Sequence, residues 1–268
     1  MERLPVSLLM VSWNSGSTLR QTLRSYQRSN LLNFVKESLI FIQENSRSDI
    51  RAATAAGLEY FTCPDNIGIG SALRLLLERS TQPYVLFLEH DWKMVVDEDS
   101  AYMHMHEAVE MLSERSIDLV RLRHRTNPGF PLHSQRLYEG QELRVFDPTS
   151  QSWYPHLLGC VHWVDDPVKA FPQHIHRVGS FFVASAEHAN WTNNPFITRR
   201  EVVSKTLDAI PRGNSEIETD VAHWWTQQPW QVGHGQGLFT HSDLRPKKSR
   251  LRYIISRAAR TLTLGTTR

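Results

Sequence analysis

The first ninety residues alternate short apolar runs with helical periodicity, a pattern that few architectures absorb other than βα units stacked around a mostly parallel sheet. Val6-Ser7-Leu8-Leu9-Met10-Val11 reads as a buried strand. After the loop Trp13-Asn14-Ser15-Gly16-Ser17, Leu19, Leu23 and Tyr26 recur at i, i+4 and i+7 on one helical face. Leu39 to Ile42 forms the second strand and ends at Gln43-Glu44-Asn45-Ser46. An Ala-rich helix from about Asp49 stops at Gly57, and Glu59 to Thr62 precedes the breakers Pro64-Asp65-Asn66. Gly70 to Ser80 is helical, with Leu73, Leu76 and Leu77 facing inward. Tyr84-Val85-Leu86-Phe87-Leu88 is the most apolar strand, and it runs directly into Glu89-His90-Asp91-Trp92.

The second half is less regular. One helix (about Ser100 to Arg115) and one strand (Ile117 to Leu122) are legible, followed by irregular stretches rich in Pro, Gly, His and Trp. Seven of the eight Trp lie beyond residue 90. Long loops of this kind commonly surround a site. The expected organisation is one α/β domain in two halves, residues 1–122 and 123–244, with a basic segment at 245–268. Arg245 to Arg268 holds eight Lys or Arg and no acid; since the whole chain carries only +2, the remainder stands at −6. A nucleic-acid partner is therefore not expected, because its footprint would be basic residues spread over the folded body. Leu251, Ile254, Ile255 and Ala258 follow helical spacing beside those charges, which suits either peripheral contact with an anionic membrane or packing onto the domain. No run approaches the roughly 20 apolar residues of a membrane span. Cys63 and Cys160 show no ligand spacing, so the expected setting is cytoplasmic and reducing.

Ligands of open α/β sheets bind beyond the carboxyl ends of the strands, and three successive ends here carry small, polar or acidic residues: Trp13-Asn14-Ser15, Glu44-Asn45-Ser46 and Glu89-His90-Asp91. Two carboxylates at i and i+2 leaving a strand can approach one hard cation with the intervening side chain turned away, and such a cation can bridge a diphosphate. A solvated acidic turn is the plainer alternative.

In order and spacing these segments resemble family 2 of the GT-A glycosyltransferases. Val6 to Asn14, including Ser12, Trp13 and Asn14, is similar to that family's opening strand and loop. Glu44-Asn45-Ser46-Arg47-Ser48-Asp49 resembles its nucleotide-binding turn, Asn66-Ile67-Gly68-Ile69-Gly70-Ser71-Ala72 its Asn-x-Gly-x-x-x-Ala segment, and Tyr84 to Asp91 its strand leading to an Asp-x-Asp metal motif. Glu44 and Glu89 stand where Asp is usual, and Arg74 where Asn is often found, so Arg74 meets a phosphate or is a surface residue. The resemblance implies a GT-A fold and a nucleotide-sugar donor, UDP- or GDP-linked. Ser12, Trp13, Asn14, Glu44, Asn45, Ser46, Asn66, Gly68, Glu89 and His90 would form the donor site. Mn2+ or Mg2+ would be held by Asp91 with Glu89 and His241. Near the C-terminus, Glu218 at a helix start corresponds to the catalytic base, with Asp220 the neighbouring alternative and dipole-complementing acids the structural one. Asn193-Asn194-Pro195-Phe196 after Trp191 suits an acceptor-side loop or a simple turn. The acceptor would be a glycan, a lipid-linked molecule or another hydroxyl compound, and the transfer inverting.

Two other readings stay open. Gly68-Ile69-Gly70-Ser71-Ala72 approximates a dinucleotide-binding turn, although Leu73 replaces the third Gly and the motif does not open the fold. A non-catalytic carbohydrate-binding relative would keep the aromatic loops without the metal. His104-Met105-His106 and His174-Ile175-His176 lack zinc-helix spacing and are assigned no role.

Overall fold

A computed structural model gives the fold and describes residues 2–130, 132, 154–211 and 216–242. β1 (Leu4–Trp13) sits at the centre of a parallel set, pairing with β2 (Val35–Gln43) on one side and β4 (Tyr84–Glu89) on the other, while β3 (Glu59–Thr62) extends the set beyond β2. α1 (Gly16–Arg28), α2 (Leu31–Phe34), α3 (Arg47–Ala55) and α4 (Gly68–Arg79) make the connections. β1 and β2 are longer than their apolar runs predict, because ladder hydrogen bonds continue as far as the Trp13–Gln43 pair. The parallel order therefore brings the ends of β1, β2, β3 and β4 to one edge of the sheet.

The second half completes the same sheet instead of forming loops alone. After β5 (Trp92–Met94) and α5 (Glu98–Ser113) come β6 (Leu119–Arg123), α6 (Pro167–Ala170), β7 (His176–Val178), β8 (Phe181–Ser185) and β9 (Phe196–Arg199). α7 (Arg200–Asp208), α8 (Ile217–Asp220), α9 (Ala222–Thr226) and β10 (Gln231–His241) follow. The order is β3-β2-β1-β4-β9-β6-β10-β8-β7, with β5 paired to the far end of β10, ten strands among the described residues. β9 enters antiparallel between β4 and β6, and β10 returns parallel to β6. β7, β8 and β9 are only three to five residues long and carry His, Arg and Ser, so local periodicity gives no sign of them. β9 depends on partners more than seventy positions away and β8 on β10 about fifty positions on, while β7 closes a short hairpin with β8.

Apolar layers cover both faces. Leu8, Met10, Ile40, Leu86 and Leu88 pack with α1, α3 and α5, whereas Leu9, Phe41, Val85, Phe87, Leu119 and Val232 pack with α4, α7 and the Trp191–Trp225 cluster. Side chains alternate along each strand, so on the second face Val85 and Phe87 lead to Glu89, Leu119 leads to Arg121 and Arg123, and Val232 leads to His234. The face that is core at one end of the sheet becomes polar at the other. Asp49 ties the β1 and β2 ends together: it is fully buried and accepts from Ser12 Oγ (2.6 Å), Ser46 Oγ (2.8 Å), Ser48 Oγ (3.0 Å) and the Ser15 amide (3.1 Å).

Both cysteines are free, as expected from their spacing. No helix among the described residues is long and apolar enough to cross a membrane. The basic segment 245–268 lies outside the described residues.

Candidate active site

The polar ends of β4, β6 and β10 open into a cavity of about 680 Å³. It gathers Glu89, Asp91, Glu218 and His241 with the amides of Asn190, Asn193 and Asn194, and with Arg121, Arg123, His156, His162 and His234. Asp91 and His241 are 150 positions apart in sequence. β10 is antiparallel to β5 with His241 opposite Trp92, which leaves His241 Nε2 3.1 Å from Asp91 Oδ2.

The loop after β6 orients this pair. The Arg123 guanidinium donates from Nε to the Pro128 carbonyl and from Nη2 to the Gly129 carbonyl, both at 2.9 Å, and lies 5.1 Å over the Trp92 ring. The held turn bridges to His241, whose amide donates to Pro128 O at 3.1 Å. Gly129 adopts φ +69°, and a Cβ there would fall 2.2 Å from the His241 carbonyl oxygen, so only glycine admits this approach. The Phe130 carbonyl then pairs with His241 Nδ1. A carbonyl only accepts, so Nδ1 donates to it, and Nε2 turns toward Asp91.

Electrostatics differ sharply across the acidic group. Burial pushes the Glu89 carboxyl up to about 8, reinforced by the negative charges of Asp91, Glu218 and Glu216. Burial also acts to raise Asp91, but the His241 hydrogen bond and the charges of His90 and His241 outweigh it and hold Asp91 below the ordinary carboxylate range. Arg123 is lowered to about 10 by burial, against the pull of Asp91. The arrangement suits a divalent cation. Ligands at about 2.1 Å on adjacent corners of an octahedron lie about 3 Å apart, close to the Asp91–His241 spacing. Among the described residues no three His, Cys, Asp or Glu side chains are placed to hold an ion alone. Two protein ligands with diphosphate oxygens and water in the other positions is the common arrangement for Mg2+.

Of the candidate donor-site residues Glu89 lines the cavity at the end of β4; those at the ends of β1, β2 and β3 form a ledge outside its lining. Trp13 is 50% exposed, and Asn14 Nδ2 donates to Glu44 Oε2 at 2.5 Å. Asn14, Glu44 and Asn45 all have positive φ, and Asn45 Oδ1 accepts from Thr62 Oγ1 at 2.7 Å. Ser12 and Ser46 are buried on Asp49, so they support the ledge from beneath. Asn66 Oδ1 accepts from the Gly68 amide at 3.0 Å, and Gln43 Oε1, which sequence reading overlooked, accepts from Ile67 N at 2.7 Å. His90 flanks Asp91 without lining the cavity.

Glu218 faces the cavity, where its Oε1 accepts from the Asn193 amide at 2.7 Å; Asp220, two residues on in α8, is exposed and outside it. Asn193 and Asn194 line the cavity, but the Trp191 ring is core, packed against Phe196 and Trp225. Arg74 reaches α7 instead of the ledge, bonding Asp208 at 3.3 Å and the Leu207 carbonyl. Arg121, Arg123, His156, His162 and His234 went unassigned from sequence, since isolated basic residues, two on the short β6, two on the 3-10 turn Tyr154–His162 and one on β10, carry no local signal.

No family model matches the chain, and no curated protein matches it in sequence. Solved structures do match. Glucosyl-3-phosphoglycerate synthase from Mycobacterium tuberculosis in complex with Mn2+, UDP and glucosyl-3-phosphoglycerate superposes with a TM-score of 0.51 at 17% identity, covering 91% of this chain and 74% of that one. The same enzyme with Mg2+ and UDP gives a TM-score of 0.51 at 17% identity over 91% and 73%. Likeness at this identity speaks to architecture, and together with the strand order it establishes that the chain has the GT-A fold.

Proposed function

We propose that the protein is a metal-dependent glycosyltransferase that moves a sugar from a nucleotide-sugar donor to a hydroxyl acceptor with inversion. The observation that carries this reading is the meeting, in one cavity at the strand ends of a GT-A sheet, of the Asp91–His241 pair with the Glu218 carboxylate. Asp91 and His241 would hold Mn2+ or Mg2+, which supplies charge neutralisation for the departing nucleoside diphosphate. Glu89 sits beside them, a carboxyl that is mostly protonated until the cation binds. Glu218 would take the proton of the acceptor hydroxyl; the Asn193 amide fixes one of its oxygens and leaves the other for the acceptor. Trp13, Asn14, Glu44 and Asn45 would receive the base and ribose. UDP is the favoured nucleotide because the structural neighbours bind it with Mn2+ or Mg2+.

Glu218 is preferred over Asp220 as base on its position in the cavity. A screen of UDP- and GDP-sugars scored by nucleotide release, with and without Mn2+, tests the reading. Release that needs both the cation and an added hydroxyl acceptor supports it. Binding of NADH, or binding of free sugars without nucleotide, would support the alternatives instead.

A further inference from the structure

His234 occupies the cavity floor on β10, opposite Arg121 of β6 and Phe182 of β8, and is 1% exposed. Its Nδ1 lies 2.9 Å from the Gly235 carbonyl, which can only accept, so Nδ1 carries the ring proton and Nε2 presents a bare lone pair. That nitrogen is buried and makes no hydrogen bond. Burial, with His162 and Arg121 adding positive charge nearby, holds the imidazole well below its ordinary range, so it stays neutral. The His162 ring stands edge-on at 5.0 Å, with its own Nδ1 3.0 Å from the Arg125 carbonyl. Both imidazoles therefore commit their proton to the backbone and keep the other nitrogen as an acceptor.

A buried acceptor atom left unmatched is unfavourable, and a purely structural position avoids that by carrying Phe or Leu. The complement of a bare imidazole nitrogen is a donor. Phosphate and carboxylate oxygens present no proton to it at neutral pH, and the groups whose charge acts on it, His162, Arg121 and His104, are basic and disfavour a cation. A sugar or polyol hydroxyl does match. We propose that His234 Nε2 accepts a hydrogen bond from a hydroxyl of the carbohydrate bound in this cavity, and that this contact selects the substrate. The inference rests on the glycosyltransferase reading above; the hydroxyl belongs either to the transferred sugar or to the acceptor.

The test compares wild type with His234→Phe, which keeps a ring and removes the nitrogens, and His234→Gln, which restores an acceptor oxygen. Calorimetry with Mg2+ measures binding of UDP and of UDP-glucose, UDP-galactose and UDP-N-acetylglucosamine, and nucleotide release gives kcat/KM with hydroxyl acceptors. UDP affinity should be unchanged in both variants. His234→Phe should lose about tenfold, the effect of one hydrogen bond, with partial recovery in His234→Gln. Loss in UDP-sugar affinity assigns the hydroxyl to the transferred sugar; loss in kcat/KM at intact UDP-sugar affinity assigns it to the acceptor. Should His234→Phe not fold, 15N spectra of wild type decide: the Nε2 resonance must move when UDP-sugar or acceptor is added to the Mg2+ form, and a stationary resonance overturns the inference. A His234→Phe protein equal to wild type in all these measurements overturns it as well. A wild type that binds neither UDP nor any UDP-sugar overturns the parent reading with it.

Discussion

Binding of Mn2+ or Mg2+ at Asp91 and His241 is expected to expel close to one proton from Glu89. Burial and the neighbouring carboxylates place the Glu89 carboxyl at about 8, so at pH 7 about nine in ten of these groups are protonated. A divalent cation beside it removes that proton, whether Glu89 ligates directly or through water. Metal affinity should therefore rise about tenfold between pH 7 and pH 9 and flatten above. The sign for the metal-free protein is the reverse. Its folded state holds this proton more tightly than the unfolded chain does, so the contribution to stability is full below about 4.5 and is lost as pH rises through about 8. Titration calorimetry at pH 7 in two buffers of different ionisation enthalpy counts the protons, with saturating UDP in every cell. Glu89→Gln is the reference, since the nucleotide's own protons cancel in the difference. Equal proton release by wild type and Glu89→Gln, or an unchanged pH slope in the variant, would refute the electrostatic account of this site.

Asp91→Asn removes charge without volume, and should weaken Mn2+-dependent UDP binding by about 100-fold or more while the melting temperature holds; wild-type turnover in Mn2+ would remove Asp91 as a ligand. Glu218→Gln should keep donor affinity and lose turnover by roughly 10²- to 10⁴-fold, with Asp220→Asn near wild type. Normal turnover by both would place the base elsewhere. Asp49→Ala strands three hydroxyls and an amide, and should cost on the order of 3 kcal/mol in denaturant unfolding; a loss well under 1 kcal/mol would show that other partners take those groups over. For the basic segment, the full chain should sediment with anionic vesicles at low salt and a chain ending at Asp243 should not, each basic residue contributing on the order of 1 kcal/mol. Equal recovery of both in the supernatant would exclude membrane contact.

Much of the N-terminal half was legible in the residues themselves. Alternating runs of apolar strand and helix periodicity depend on near neighbours, and they located β1 to β4, α1, α4 and α5 within a few positions. They also put Trp13, Glu44 and Glu89–Asp91 at strand ends, because a polar residue after a buried strand marks where the chain leaves the sheet. The second half was decided by tertiary structure. A strand as short as β9 exists only through partners far along the chain, and its insertion between β4 and β6 sets which side chains share a cavity. That register chose Glu218 over Asp220 for the cavity, turned Trp191 into core and sent Arg74 to α7. It also brought His241 to Asp91 across 150 positions and set the bare nitrogen of His234 on the cavity floor. Periodicity records which face of an element is buried; which distant element covers that face is a property of the assembled sheet, and it has no local signature.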